Sequence, residues 1–217
     1  MARLAVMANF DPEGGIGPHV RRQVEALAAG FEDVVVVSTS ELTESSRDWL
    51  RARVRLIERA NYGYDFFSYK AGLESVPEAT LQAYDEVVLC NDSYVGPLRD
   101  YARILEEMSS RDADFWGLTE TDRVAHHVQS FFVAFRPWTV GSQAFRGFWS
   151  GMEPLSDRMK VIRRYEVGMS TTLYAAGLRS ASYFVESDAD RAVARERVEW
   201  WAAHRGALRG KANRARH

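Results

Sequence analysis

Apolar residues gather in short blocks separated by polar, glycine-containing stretches, and the blocks alternate between strand-like and helix-like spacing. Leu4–Asn9 is an apolar run that meets Asp11-Pro12-Glu13-Gly14-Gly15, which predicts a strand followed by a loop. Val20, Val24, Leu27 and Ala28 recur at helical spacing and are closed by Gly30. Asp33–Ser38 holds four consecutive valines and no polar face, the pattern of a parallel strand covered on both sides. Ser45–Arg53 predicts a helix, and Val54–Glu58 alternates as a third strand. Asp65–Leu73 suits a helix opening directly after the loop Asn61-Tyr62-Gly63-Tyr64, and Glu86–Cys90 is a fourth strand that stops at Asn91-Asp92-Ser93. Leu98–Met108 is helical by spacing, Asp114–Leu118 and Ser130–Phe135 are further strands, and Gly141–Gly177 is mainly helical with a short strand near Ser182–Val185. The arginine-rich stretch Arg191–His217 carries Trp200-Trp201. It reads as a terminal helix packing its tryptophans on the core or as a peripheral membrane anchor, with a frayed, disordered end.

Strands alternating with helices place the chain in the α/β class, with a mostly parallel central sheet flanked by helices. No internal repeat or low-complexity linker interrupts residues 1–190, so a single domain is expected there, followed by a basic tail over 191–217. Ligands of such sheets bind outside the carboxyl ends of the strands. The informative loops are therefore those after Asn9, Ser38, Glu58, Cys90 and Leu118.

Composition narrows the partners. With 46% hydrophobic and 27% charged residues over 217 positions, the chain resembles ordinary globular proteins. A formal net charge of -2 gives no electrostatic case for nucleic acid. The single cysteine, Cys90, cannot form an internal disulfide. The apolar start is too short for a signal peptide, and no stretch is long enough to span a bilayer, so the cytoplasm is the expected compartment. Asn91-Asp92-Ser93 matches a glycosylation sequon, which carries no weight without an export signal.

Asn91-Asp92-Ser93 lies just past a central strand, where a carboxylate could share a divalent cation with a diphosphate. Mg²⁺ or Mn²⁺ is typically held by one or two carboxylates plus phosphate oxygens. The structural alternative is that Asp92 or Ser93 caps the helix after Gly96-Pro97. In Asn61-Tyr62-Gly63-Tyr64-Asp65, Asn61 and Asp65 could hydrogen-bond a base or ribose and a tyrosine could stack on the base. A backbone-driven turn with Asp65 as helix N-cap fits equally. His126-His127 lacks any zinc-site spacing, though one histidine could contact a phosphate or an acceptor. Tyr165–Ser170 is expected to open a helix with Glu166 in its first turn, as a general base for a sugar hydroxyl or as a dipole-compensating glutamate. Most aromatics are expected in the core, with Trp116, beside a glycine at a strand end, as the candidate sugar platform.

Together these segments resemble the rhamnan synthesis protein F family of bacterial polysaccharide glycosyltransferases. The matching pieces are Asn61–Asp65 with Tyr69–Leu73, Leu89–Pro97, Asp114–Thr119, His127–Phe132 and Tyr165–Ser170, in family order over roughly residues 4 to 186. The resemblance implies a GT-A-like fold and a glycosyltransferase of cell-surface polysaccharide synthesis at the cytoplasmic membrane face. The donor would be a nucleotide-diphosphate sugar, rhamnose among the candidates, and the acceptor a saccharide or lipid-linked saccharide. It puts Asn91-Asp92-Ser93 in the place of an Asp-x-Asp motif, with Asp92 and Ser93 as the ligands of a Mg²⁺ or Mn²⁺ ion, and Glu166 in the place of the base of an inverting enzyme. The nucleotide-sugar-binding set is then Asn9, Asn61, Gly63, Asp65, Lys70, Asn91 and Asp92, with Trp116, His127 and Gln129 toward the acceptor. The metal loop departs from the family pattern in having one acidic residue, and the further domains many members carry are missing from the sequence. Two other classes share several of these features. A sugar nucleotidyltransferase would need a basic glycine-rich loop after the first strand, partly present in Gly14-Gly15-Ile16-Gly17 with His19, Arg21 and Arg22. A non-catalytic nucleotide-sugar-binding subunit would bind without turnover.

Overall fold

The structure, a computed structural model, describes residues 1–214, with side chains described to residue 205. The chain divides into two compact units, Met1–Tyr183 and Phe184–His217, a break that falls ahead of the boundary expected at residue 190.

In the first unit, strands and helices alternate as β1 (Arg3–Asn9), α1 (Pro18–Gly30), β2 (Asp33–Ser38), α2 (Glu44–Arg51), β3 (Arg55–Glu58), α3 (Tyr64–Glu74), α4 (Glu78–Leu81) and β4 (Glu86–Asn91). Next come α5 (Tyr101–Ser109), β5 (Phe115–Gly117), a hairpin of β6 (Glu120–Thr121) and β7 (His127–Val128), then β8 (Phe132–Phe135), α6 (Pro137–Val140) and α7 (Gln143–Ser150). A long helical stretch follows as α8 (Arg158–Val161), a π-helical turn (Ile162–Val167) and α9 (Gly168–Ala175), and β9 (Ser180–Ser182) completes the sheet.

Seven strands form one sheet in the order β3-β2-β1-β4-β8-β5-β9. The expected mostly parallel α/β sheet is what forms. β8 runs antiparallel to its neighbours β4 and β5, and the other pairs are parallel. The reversal follows from the connection, since β8 returns from β5 through a hairpin loop, whereas a parallel neighbour would need a full crossover. The sheet order reverses between β1 and β4, and the space outside their carboxyl ends is the usual ligand crevice of an open α/β sheet.

The strands are apolar on both faces because both faces are covered. Val6, Val35, Val37 and Leu89 meet Phe66, Tyr69 and Leu73 of α3, Phe145 and Trp149 of α7, and Met169 and Leu173 of α9. Met7, Val34, Val36 and Val88 face the opposite way, onto Val24 and Leu27 of α1, Leu50 of α2, and Ile104 and Leu105 of α5. This alternation has the two-residue period of a strand, even where every side chain is hydrophobic. Helix α3 lies so close to the sheet that a Cβ on Gly72 would sit 2.2 Å from Val6 Cγ1.

Three expectations shift. The helix expected from Leu98 begins at Tyr101, with Asp100 still extended. The strand expected at Ser182–Val185 pairs with β5 at Ser180–Ser182. Glu166 does not open a helix: helical structure begins at Arg158, with Asp157 as the capping acceptor for Lys160 N at 2.8 Å, and Glu166 lies inside the π-helical turn.

The second unit is dominated by α10 (Asp188–Arg214). Ser187 and Asp190 cap it reciprocally, Ser187 N donating to Asp190 Oδ2 at 2.9 Å and Asp190 N to Ser187 Oγ at 3.2 Å. Trp200 stacks on His204 and lies edge-on to Trp201, and both tryptophans are more than half exposed. The end expected to fray, residues 215–217, lies outside the described residues. No described helix is long and apolar enough to cross a membrane.

Candidate active site

The carboxyl ends of β1 and β4 are tied together by polar side chains. Asn9, the last residue of β1, is buried, accepts from Ser38 Oγ at 3.0 Å, and donates from Nδ2 to Asp92 Oδ2 at 2.8 Å. The same oxygen accepts from Phe10 N at 2.9 Å. Asn91, the last residue of β4, accepts from the backbone and hydroxyl of Ser93 and donates to Asp65 Oδ2 at 2.8 Å. Asp65 is in the first turn of α3, whose N-cap is Gly63 at φ 72. Glycine takes that left-handed conformation freely, and it leaves the Asp65 carboxylate for Asn91 instead of for capping. The helix-cap alternative for Asp65 is therefore not what the chain adopts.

Across the same cleft stands Glu166. Its Oε1 accepts from Ser130 N at 3.0 Å and Ser130 Oγ at 2.9 Å, and the Ser130 carbonyl in turn accepts from the fully buried Tyr69 hydroxyl at 2.9 Å. These bonds commit one carboxylate oxygen and fix the ring of contacts behind it. A mid-helix position removes the dipole-compensating role open to a first-turn glutamate. π-Helical turns recur at functional sites because the extra residue re-aims a side chain.

The cleft has a volume of about 690 Å³. Asp65, Asn91, Ser93, His127, Gln129, Ser130 and Glu166 line it, together with Arg123, Val124 and Arg158. Both non-glycine residues found at positive φ among the described ones, Tyr64 at 56° and Val124 at 81°, are on its wall. Such conformations cost energy in bulky or β-branched residues and concentrate at binding sites.

Electrostatically the cleft is short of compensation. Burial pushes Asp65 above the ordinary carboxylate range, the Asn91 hydrogen bond pulls it back, and the charge of Glu166 raises it further. Burial likewise pushes Asp92 up, against the bonds from Phe10 N and Asn9, and Asp65 adds to the rise. Arg158 and Arg59 act on Asp65 only through space. Among the described residues no cluster of three or more His, Cys, Asp or Glu could hold a metal ion alone. One carboxylate and one hydroxyl, Asp92 with Ser93, are nevertheless the all-oxygen kind of ligand a hard cation takes when its remaining ligands come from a diphosphate.

Other expected site residues lie elsewhere. Asn61 and Gly63 line a separate pocket with Tyr62, Tyr64 and Pro154–Ser156. Lys70 turns to the Trp149 carbonyl at 2.6 Å and to Glu74 at 3.3 Å. Trp116 requires correction as a sugar platform: it is fully buried, and its indole N–H donates to Glu86 Oε1 at 2.7 Å near the opposite end of β4. His127 reaches the cleft but is largely buried, with Nδ1 against the Ala125 carbonyl at 2.7 Å. Gln129 Oε1 accepts from Thr119 Oγ1 at 2.8 Å. Sequence reasoning passed over Ser130, Arg59 and Arg158. The first two had a usable signal, since Ser130 follows Gln129 in a quoted motif and Arg59 directly follows a strand.

Fold and site together define an α/β protein with a carboxylate-lined cleft at the carboxyl edge of its sheet. The chain belongs to the rhamnan synthesis protein F family, which matches residues 34–205. It is 31% identical over 150 residues to virulence protein VirA of Vibrio anguillarum, covering 67% of this chain and 47% of that protein. It is 26% identical over 192 residues to the uncharacterized protein y4gN of Sinorhizobium fredii (strain NBRC 101917 / NGR234), covering 86% of this chain and 50% of that protein. The chain thus spans about half the length of these relatives. Among solved structures it is similar in fold to 4-diphosphocytidyl-2C-methyl-D-erythritol synthase, with a TM-score of 0.51, 15% identity, and coverage of 89% of this chain and 96% of that one. The family's description names rhamnan synthesis, and the solved structure bears on the fold alone.

Proposed function

We propose that the chain is a glycosyltransferase unit that moves a sugar, rhamnose among the candidates, from a nucleotide-diphosphate sugar to a saccharide or lipid-linked saccharide acceptor, with inversion. The observation that carries this reading is Glu166, fixed through one oxygen by Ser130, facing the Asp65–Asn91 pair in one cleft. The committed Oε1 leaves Oε2 to accept the proton of an acceptor hydroxyl. As that proton moves to Glu166, the acceptor oxygen bonds to the anomeric carbon, and the bond from that carbon to the diphosphate breaks with its electron pair. Asp65 and Asn91 would hold donor hydroxyls, Arg158 and Arg123 would face the diphosphate, and His127 and Gln129 are on the acceptor side. Asp92, aligned by Asn9, would hold a Mg²⁺ or Mn²⁺ ion with Ser93, and such an ion would neutralise charge on the leaving diphosphate. We place this work at the cytoplasmic membrane face, with the basic, tryptophan-bearing C-terminal segment as the contact.

A nucleotidyltransferase reading has the fold similarity in its favour, and 15% identity carries fold alone. The glycine-rich loop it would need is occupied with internal contacts. Gly14 O accepts from Thr43 N at 3.0 Å, and Arg21 donates to Ile16 O at 2.9 Å while lying over Trp49. The test is a panel of nucleotide-diphosphate sugars with a rhamnose oligosaccharide and Mn²⁺. Glycoside formation with an inverted anomeric centre, read by NMR, is the expected result. Formation of a nucleotide sugar from a triphosphate and a sugar phosphate would replace this reading with the other, and binding without turnover would make the chain a binding subunit.

A further inference from the structure

A second pocket, of about 440 Å³, adjoins the main cleft, and Tyr64 lines both. Its remaining wall comes from the Asn61-Tyr62 turn on one side and Pro154-Leu155-Ser156 on the other. Every residue of that wall is uncharged, whereas the main cleft carries Arg123 and Arg158 among its cations and Asp65 and Glu166 among its anions. A phosphate or a divalent cation has nothing here to meet its charge.

The shared residue is held at a cost. Tyr64 has φ 56, in the left-handed region that a bulky side chain occupies only under constraint. The constraint is visible: Arg59 donates to the carbonyls of Ala60 at 2.9 Å, Tyr62 at 2.8 Å and Tyr64 at 3.0 Å, and the Tyr64 hydroxyl donates to the Ser156 carbonyl at 3.1 Å. So many bonds would usually serve to bury a ring. Instead Tyr64 is 43% exposed and its neighbour Tyr62 51% exposed, with Tyr62 braced by Phe67 and by the Arg59 guanidinium. Two rigid, exposed aromatic rings beside an amide suit a neutral ring with apolar C–H edges and hydroxyls, which is a sugar.

We propose that this pocket is a second saccharide subsite with Tyr64 as its platform, so that the acceptor is a chain of at least two sugar units. Its terminal unit meets Glu166, and the preceding unit lies beyond Tyr64. The proposal rests on the glycosyltransferase reading and moves Asn61 and Gly63 from the nucleotide to the acceptor. The aromatic platform expected at Trp116 is then supplied by Tyr64.

The experiment is calorimetric titration of the full chain with methyl α-rhamnoside, a rhamnose trisaccharide, UDP and dTDP. The trisaccharide is expected to bind about ten-fold more tightly than the monosaccharide, the scale of one well-packed ring contact. Tyr64→Ala should abolish that advantage. Because Tyr64→Ala also removes the bond to Ser156 and part of the main cleft wall, Ser156→Trp provides a second variant that fills the pocket from an exposed position outside the main cleft, and it should abolish the advantage while leaving nucleotide binding unchanged. Equal affinity for the two saccharides, no saccharide binding, an advantage that survives both variants, or weakened UDP and dTDP binding in Ser156→Trp would each overturn the proposal. Length-dependent binding with no sugar transfer from any donor would instead defeat the glycosyltransferase reading and leave the subsite standing.

Discussion

Strand β4 carries a carboxylate cluster at each end, buried at the amino end and half-buried at the carboxyl end, and the two clusters are built oppositely. At its amino end Glu86 is 1% exposed, accepts from Trp116 Nε1 at 2.7 Å and from Arg136 at 3.0 Å, and has Arg3 at 3.8 Å. Burial pushes Glu86 up, and Trp116, Arg136 and Arg3 pull it back. At the carboxyl end, Asp65, Asp92 and Glu166 are bonded only by neutral donors, and their nearest charged influences include one another. Burying a charge is costly unless a partner compensates it. The amino-end cluster carries its own cations, Arg136 bonded and Arg3 at ion-pair distance, and it staples the fold even though Glu86 Oε2 and Arg3 Nε have no hydrogen-bond partner among the described residues. At the carboxyl end Asp65 and Glu166 line an open cleft with Asp92 behind them, and the arginines there, Arg123 and Arg158 on the wall, bond to none of the three carboxylates. The same chemistry at two ends of one strand therefore separates a carboxylate paired inside the core from carboxylates grouped at a cleft, the ones proposed as functional.

The sharpest break in this comparison is kinetic. Glu166→Gln keeps the size and the acceptor for Ser130 but cannot take a proton. Turnover should fall by about 10²–10⁴-fold, the usual contribution of a positioned base, with donor affinity and melting temperature near wild type. A variant with full turnover would return Glu166 to the class of Glu86.

At the opposite end the expected effect is on stability alone. Glu86→Ala leaves the Arg136 charge and the Trp116 N–H buried without their acceptor, and breaking such a pair typically costs about 3–5 kcal/mol. Denaturant unfolding measures it, and the protein that remains folded should bind nucleotide diphosphates as wild type does. A loss of affinity without a loss of stability would merge the two ends into one functional system.

Most of the fold was legible because its signals are local. The valine run of β2, the helical spacing of α1 and the polar stops after β1 and β4 each lie within a few residues. Asp65, Asn91 and Asp92 were legible as site candidates for the same reason, since the fold rule points to the ends of particular strands. Trp116 was misplaced because its partner Glu86 lies thirty residues earlier, and no local pattern predicts that an indole N–H is satisfied inside the core. The strands of the β6–β7 hairpin are two residues each, below any periodic signal, yet the turn between them brings Arg123 and Val124 to the cleft. Glu166 was singled out as a candidate and misread as a helix start, because the capping signal lies at Asp157, ahead of α8 and the π-helical turn that holds Glu166.

The smallest expected effect decides whether the carboxyl-end carboxylates wait for a cation. In the fold, Asp65 and Asp92 both lie above their ordinary values, mainly through burial. A carboxyl whose folded value is raised favours the folded state while it is protonated, and that contribution is lost as the pH rises through the folded value. Without a ligand, the protein should therefore lose stability as the pH climbs from the ordinary carboxylate range toward neutrality. Asp65→Asn and Asp92→Asn carry no such charge. Each can keep its bonds by turning its amide oxygen to Asn91 or to Asn9 and Phe10 N, so each should melt slightly above wild type at pH 7.5. Mn²⁺ with UDP should reverse that order for Asp92→Asn, which loses the carboxylate proposed to hold the ion, and leave Asp65→Asn above wild type. The reversal should be smaller at pH 5 than at pH 7.5, because the raised carboxyls carry less charge at the lower pH. Melting curves of the three proteins at both pH values, with and without Mn²⁺ and UDP, make the comparison. Variants less stable than wild type at pH 7.5 without ligand would show that these carboxylates hold the fold together, as Glu86 does, and that the two ends of β4 are built alike.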